Sequence, residues 1–324
     1  MNLCSQSGFD KRLFNLPDDK LMRRLYTFFC LLCFSACDLP EQESADGRIA
    51  VVCTTGMVAD LAANIGGERV VVTGLMGPGV DPHYYKASQG DLAKLRTAEL
   101  IFYNGLFLEG KMEDIFEKMA RSKKVAAVAE TIPTEELRRP SEFQGNFDPH
   151  IWFDVSLWAQ TIETVVASLS EVDPAGAEIY RQNGERYRVR LDSLHQWVIE
   201  QVELIPESGR VLITAHDAFG YFGRAYGVEV VGLQGISTVA EYGVNDVTQL
   251  VDQIVERQIK AIFVESSVPA RSIEAVRRGC LDRGFEVEIG GTLYSDAMGA
   301  AESGADTYIG MVESNVSTIV KGLK

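Results

Sequence analysis

The chain has 324 residues, of which 46% are hydrophobic and 24% are charged, and its formal net charge at pH 7 is −15. A chain of this length exceeds what one hydrophobic core usually supports, so we expect two lobes. The acidic surface argues against nucleic acid or an anionic membrane face as a partner, and it favours cations.

The N-terminal segment, residues 1–36, has the pattern of an export leader. A basic stretch at residues 22–24 precedes an apolar stretch at residues 25–34, and small residues then lead to Cys37. An apolar stretch of this length is too short to span a bilayer as a stable anchor. The residues before Cys37 resemble a bacterial lipobox, with Phe34 in place of the usual leucine. We therefore predict that Cys37 carries a lipid after cleavage, and cleavage without a lipid is the alternative.

In the first half of the chain, short apolar runs alternate with amphipathic stretches. The apolar runs predict buried strands at residues 49–53, 70–73, 100–103 and 125–128. The stretches between them predict helices at residues 57–65, 88–97 and 112–119. This alternation predicts an α/β fold with a mainly parallel sheet that is covered on both faces.

One long helical pattern, residues 173–205, lies between the two halves. Asp173 is an N-cap candidate, Pro174 suits the first helical position, and Pro206 ends the pattern. Apolar residues recur along it at helical spacing, so we predict a single helix of about 45 Å. His195 lies beside the apolar stripe, and we predict that it is a structural histidine.

The second half repeats the same alternation. Its strands are predicted at residues 211–214, 228–231, 261–264 and 287–289, and its helices at residues 219–226, 245–257, 272–283 and 308–323. The predicted organisation is a leader (1–36), a tether (37–48), an N-terminal α/β lobe (49–172), a linking helix (173–205) and a C-terminal α/β lobe (206–324).

Three of the four histidines and one aspartate stand where a predicted strand ends, or in the loop beyond it. His83 and His150 close two copies of the tripeptide Asp-Pro-His, in which proline stiffens the backbone before the imidazole. His216 ends an apolar run, and Asp296 follows the last predicted strand. Ligands of open parallel sheets bind beyond the carboxyl ends of the strands, so we predict one metal ion between the halves. Three imidazoles and a carboxylate favour Zn²⁺, and Mn²⁺ or Fe²⁺ would accept the same donors.

Each of these residues also has an ordinary explanation. Either Pro-His pair can be exposed on a loop, His216 can cap a strand end, and Asp296 can be the N-cap of a helix that starts near residue 297. Asp81 and Asp148 can orient the neighbouring imidazoles or simply form the turn before proline. Three further acidic residues are candidates for the rim of the site or for supporting its ligands: Asp217, Glu241 and Glu265.

Four segments resemble the metal-binding receptors of bacterial ABC importers for zinc and manganese, the TroA/ZnuA/PsaA group of solute-binding lipoproteins. These segments are residues 81–83, 148–152, 214–219 and 294–299, and they occur in the family's order. The resemblance covers the chain from about residue 49 to its end. It implies two α/β lobes joined by one rigid helix, with His83, His150, His216 and Asp296 as the metal ligands.

The resemblance also implies a function. The chain is expected to be an extracytoplasmic, monomeric receptor, tethered through Cys37, that captures Zn²⁺ or Mn²⁺ and delivers it to an ABC permease. Manganese-type members commonly carry glutamate at the position of His216, and many zinc-specific members carry a His-rich loop that residues 111–147 lack. The resemblance is therefore closest to the TroA type. A zinc-dependent hydrolase of the cell envelope is the alternative, although the chain has no His-Glu-x-x-His motif.

Overall fold

The computed structural model describes residues 47–143 and 145–324, all of which belong to one unit, Ser44–Lys324. The predicted leader, Cys37 and most of the tether lie outside the described residues. Among the described helices, none combines the length and apolar character that a membrane crossing requires.

A four-stranded parallel sheet forms the first half. Its strands are β1 (Ile49–Cys53), β2 (Val70–Gly74), β3 (Leu100–Tyr103) and β4 (Lys124–Ala127), in the order β2-β1-β3-β4. The helices between them are α1 (Gly56–Gly66), α2 (Gln89–Thr97) and α3 (Glu113–Met119). The predicted α/β alternation is confirmed, because β-branched runs suit buried strands and amphipathic stretches cover them.

Three helices follow β4 along the chain. They are α4 (Val155–Trp158), α5 (Ile162–Val172) and α6 (Ala177–Val202). The 26 residues of α6 correspond to about 39 Å, slightly shorter than predicted because Pro174–Gly176 forms a 3₁₀ turn before it. The helix packs against α1 and α5 of the first half and against the last helix of the chain.

The second half contains two parallel strand pairs rather than one predicted sheet. Strand β5 (Val211–His216) pairs with β6 (Glu229–Gln234), and β7 (Ala261–Glu265) pairs with β8 (Glu288–Leu293). Strands β5 and β7 lie side by side. The helices are α7 (Gly220–Tyr226), α8 (Val244–Arg257), α9 (Arg271–Asp282) and α10 (Tyr308–Leu323). The exact lobe boundaries at residues 49–172 and 206–324 stay predictions.

Two strand ends differ from the prediction in ways that matter for the site. His216 is the last residue of β5 rather than the residue after it. Strand β8 continues through Gly290 and Gly291 to Leu293, beyond the predicted end at residue 289. A Cβ atom on Gly290 would lie 2.6 Å from the Phe263 ring, so glycine is needed there for close packing against β7 rather than for a turn.

The largest cluster of buried apolar residues includes side chains from both halves and from α6. Its largest members are fully buried aromatics: Trp152, Trp158, Tyr180, Tyr187, Phe219 and Tyr308. Burying one such aromatic side chain contributes on the order of 3 kcal/mol. The carboxyl ends of the strands are therefore held in fixed positions around the loops that follow them.

Candidate metal centre

The structure brings together the four residues that the sequence predicted as ligands. His83, His150, His216 and Asp296 each offer one donor atom, and these four atoms all lie within 4.8 Å of one another. His150 precedes the 3₁₀ turn Ile151–Phe153, His216 ends β5, and His83 and Asp296 lie in the loops after β2 and β8. All four residues are buried, with His83 the most exposed at 4%.

Three of the distances between the donor atoms match the spacing around one small cation, and His83 Nε2 lies farther from Asp296 Oδ2, at 3.9 Å. His83 Nε2 lies 3.3 Å from His150 Nε2, His150 Nε2 lies 3.4 Å from Asp296 Oδ1, and His216 Nε2 lies 3.3 Å from Asp296 Oδ2. A tetrahedral ion with bonds of about 2.0–2.1 Å separates its ligand atoms by about 3.3–3.4 Å. The Asp296 oxygens face different histidines, so the carboxylate can bind through one oxygen or through both.

Several donor atoms in this cluster are buried without hydrogen-bond partners. Within residues 47–143 and 145–324, His216 Nε2 and both carboxylate oxygens of Asp296 lack one. Leaving a buried polar atom unpaired costs about 1–3 kcal/mol, and more for a charged group. A bound cation would satisfy these atoms at once, so the residues fit a divalent ion.

Asp148 supports His150 from the side away from the cluster. Its Oδ1 accepts from the backbone N–H of His150 at 3.0 Å and lies 2.8 Å from Nδ1 of the same residue. Its Oδ2 pairs with the guanidinium of Arg138. This contact fixes the imidazole orientation so that Nε2 faces the cluster. Asp148 thus has both of the roles that the sequence left open.

Glu265, the last residue of β7, accepts a hydrogen bond from the backbone of His216 and lies beside its ring. Its Oε1 accepts from the backbone N–H of His216 at 2.9 Å, and its Oε2 lies 2.5 Å from His216 Nδ1. Both side chains are fully buried. Of the other two candidate acids, Glu241 is exposed. Asp217 is half-buried, and its backbone N–H donates to Gln234 O.

Asp81 acts on the backbone of His83 rather than on its ring. Its Oδ1 accepts from the His83 N–H at 2.9 Å, and its Oδ2 accepts from the Thr238 hydroxyl at 2.6 Å. Because Thr238 belongs to the loop after β6, this carboxylate joins the ligand loop of one half to a loop of the other. Of the two roles predicted for Asp81, the structure therefore shows the turn-forming one.

The surroundings of the three histidines shift their pKa values in different directions. Burial lowers the pKa of His83 to about 3, although Asp296 opposes this shift. Burial also lowers the pKa of His150, but Asp148 and Asp296 outweigh it and raise the pKa to about 9. For His216, Glu265 and Asp296 likewise outweigh burial and raise the pKa well above its usual value. Burial raises the pKa of Asp296, but His216 and His150 hold it well below its usual range.

Aromatic side chains enclose the cluster. The Trp152 ring lies 5.2 Å from the His150 ring, and its Nε1–H donates to Ser295 O, next to Asp296, at 3.0 Å. The hydroxyl of Tyr308 donates to Trp152 O at 2.8 Å. Trp152 therefore packs in the core and also joins the loops that carry His150 and Asp296.

The ordinary explanations for the predicted ligands are wrong on three points. His83 and His150 are buried rather than exposed, and the helix after Asp296 begins only at Tyr308. His195 lies apart from the cluster, with its Nδ1 3.1 Å from the Tyr226 hydroxyl.

The sequence did not point to Arg138 or Tyr221. Arg138 pairs with Asp148, and the hydroxyl of Tyr221 donates to Asp148 O at 3.0 Å. No local motif marks either residue, and they lie 10 and 73 residues from Asp148.

Comparison with known proteins gives consistent results. Residues 51–322 match the family model described as zinc-uptake complex component A, periplasmic. The manganese-binding lipoprotein MntA of Bacillus subtilis is 51% identical over 282 residues, which cover 87% of this chain and 92% of that protein. The zinc-binding protein TroA of Treponema pallidum is 48% identical over 283 residues, which cover 87% of this chain and 91% of that protein.

The fold agrees with a solved structure as well. The periplasmic zinc-binding protein TroA from Treponema pallidum matches with a TM-score of 0.83 and 47% sequence identity, and the match covers 86% of this chain and 99% of that chain. The predicted resemblance and fold class are confirmed. The comparisons give no support to the alternative of a zinc-dependent hydrolase.

Proposed function

This chain belongs to the zinc-uptake complex component A family, the ZnuA/TroA/PsaA group of metal-binding solute-binding proteins, and on that premise we propose that it captures Zn²⁺ or Mn²⁺ for an ABC-type importer. The ligands in this proposal are His83, His150, His216 and Asp296. The ion is cargo rather than a catalyst, and we propose no enzymatic activity.

One observation carries the proposal. Four buried residues from both halves of the chain each bring one donor atom to within 4.8 Å of the others, and His216 Nε2 and both oxygens of Asp296 have no hydrogen-bond partner among the described residues. Such an arrangement costs stability unless an ion satisfies it, because a buried carboxylate and imidazole would otherwise be left unpaired. The arrangement therefore favours binding of a cation.

The donor set suits zinc and also accepts manganese. Three imidazoles with one carboxylate oxygen give the tetrahedral coordination that Zn²⁺ prefers. Because both Asp296 oxygens face histidine nitrogens, a second carboxylate bond can raise the coordination number for Mn²⁺ or Fe²⁺. The two relatives compared above are named for manganese and for zinc, in agreement with this donor set.

We further propose the setting in which the receptor works. Relatives are metal-binding lipoproteins of ABC transporters, so the partner of this chain would be the membrane-embedded permease of such an importer. The receptor would be a monomer at the periplasmic or outer cell surface, held to the membrane by a lipid on Cys37. Mass spectrometry of the protein from its native host tests the lipid, since a diacylated Cys37 at the N-terminus is expected.

Titration of the purified, metal-stripped protein with Zn²⁺ and Mn²⁺ tests the binding function. We expect one ion per chain, and we expect His216→Ala to weaken zinc binding by at least about 100-fold, because it removes a ligand of a buried site. His195→Ala is the matched control and should bind like the wild type, since His195 contacts Tyr226 instead. Equal effects of the two substitutions would contradict the ligand assignment.

A further inference from the structure

A cavity of about 360 Å³ adjoins the metal centre on one side. Of the four candidate ligands, His83 lines it. Its walls come from both halves of the chain and include Phe107, Leu108, Phe143, Ile236 and Val239. Phe107 and Val239 are 51% and 39% exposed, so the cavity reaches the surface. We call this cavity, which extends from the surface to His83, the mouth cavity.

The first-half wall of the mouth cavity is fixed by a buried carboxylate. Glu109 accepts hydrogen bonds from the Thr54 hydroxyl at 2.6 Å, from Asn104 N at 2.8 Å and from Gly105 N at 3.3 Å. The side chain is almost fully buried. Three bonds to one buried carboxylate hold the 104–109 segment in a single conformation.

The opposite wall is the loop at residues 235–243, between β6 and α8. Gln234 Nε2 donates to Ala240 O at 2.9 Å, a bond that shapes the loop but ties it only to its own half. Thr238 is 5% exposed, and its hydroxyl donates to Asp81 Oδ2 at 2.6 Å. The other oxygen of Asp81 accepts from the backbone of His83. One carboxylate thus connects this loop to the ligand that lines the mouth cavity.

We propose that the Thr238–Asp81 hydrogen bond is a latch that holds the 235–243 loop over the mouth cavity and limits how fast the ion exchanges. Thr238 is then a positioning residue that touches no ion. When the bond opens, the loop can move away from His83 while the wall braced by Glu109 stays in place. This inference rests on the proposed metal-binding function.

Stopped-flow exchange on the full-length protein tests the latch. Zinc-loaded protein is mixed with excess chelator for the off-rate, and metal-free protein with zinc for the on-rate. Thr238→Val removes the hydroxyl and keeps the shape, so we expect both rates to rise, the off-rate by about tenfold to 100-fold, because a hydrogen bond to a carboxylate is lost. Thr238→Ser keeps the hydroxyl and should restore wild-type rates. Should the valine variant fail to fold, Thr238→Ala removes the same hydroxyl.

Thr248→Val is the matched control, since the Thr248 hydroxyl is exposed and donates only to Val244 O of its own helix. An unchanged off-rate in Thr238→Val, or equal acceleration in the serine or Thr248 variant, would overturn the latch. A faster off-rate with an unchanged or slower on-rate would also overturn it, because Thr238 would then merely support His83. If the wild type binds no zinc, the proposed function fails instead, and the two failures are distinct.

Discussion

At the scale of single residues, the metal centre combines predictable ligands with supports that are hard to predict. The candidate ligands could be predicted because histidine is rare in this chain and because two of the four histidines follow Asp-Pro. Asp148 and Glu265 were only candidates, and Arg138, Tyr221 and Thr238 were not predicted. Tyr221 lies 73 residues from Asp148 and Thr238 lies 157 residues from Asp81, so no local spacing or motif could identify them.

The carboxylates behind the histidines should control affinity. Glu265→Gln keeps the shape of the side chain but replaces the carboxylate that faces His216 Nδ1. Because such partners orient the imidazole and raise its basicity, we expect zinc affinity to fall by about 10–100-fold. Competition titration against a chelator measures this effect. Glu229→Gln is a suitable control, since Glu229 is exposed and pairs with Arg257, and equal losses in the two variants would argue against a specific role for Glu265.

Zinc binding should release protons. The pKa of His150 is raised to about 9 and that of His216 is also raised, so both imidazoles hold protons at pH 7 before the ion arrives. The ion requires the neutral ring, and a group with a raised pKa is protonated below that value, so affinity should fall steadily as the pH drops from about 9.

Calorimetry in buffers with different ionisation enthalpies counts the protons released. We expect about one to two protons per zinc ion at pH 7. An observed heat that does not depend on the buffer would contradict the electrostatics described for His150 and His216.

At the scale of secondary structure, the hydrophobic pattern predicted most elements to within a few residues. Strand pairing was not predicted, and in the second half β5 pairs with β6 and β7 pairs with β8. Apolar runs indicate strands, but strand pairing depends on tertiary contacts that a single sequence does not encode locally. Strand β8 was predicted too short because its apolar run ends at Ile289, whereas the strand continues through Gly290 and Gly291, which permit close packing against β7 and α10.

Gly184 gives the clearest test at this scale. Glycine within a helix normally costs about 1 kcal/mol relative to alanine. Here, however, a Cβ atom would lie 2.9 Å from methyl groups of Ile162 and Val166, so glycine allows α5 to pack closely on α6. Overpacking should outweigh the propensity gain, and we expect Gly184→Ala to lower the free energy of unfolding by about 1–2 kcal/mol.

Denaturant unfolding of the metal-free protein measures this change. Gly90→Ala in α2 is the matched control, because the nearest atom to its Cβ would be Ser88 Oγ at 3.5 Å, an ordinary contact. The control should be neutral or slightly stabilising. A stabilising effect of Gly184→Ala would show that α5 and α6 pack less closely than described.

At the scale of the whole molecule, one helix and a shared core join the two halves. Helix α6 packs on α1, α5 and α10, and Trp152 and Tyr308 connect the halves beside the metal centre. Such a connection should allow small local movements rather than wide closure of the halves. Hydrogen exchange with and without zinc should therefore differ mainly in the loops that carry ligands. Loss of protection along α6 or the central strands in the metal-free protein would contradict this expectation.

The central claim is that three histidines and one aspartate from the two halves hold a single divalent ion. A crystal structure of the zinc-loaded protein, with anomalous diffraction at the zinc edge, tests it most directly. We predict one strong peak about 2.0–2.2 Å from Nε2 of His83, His150 and His216 and from a carboxylate oxygen of Asp296. A peak elsewhere on the protein, or a zinc ion that lacks any of these four ligands, would contradict the account.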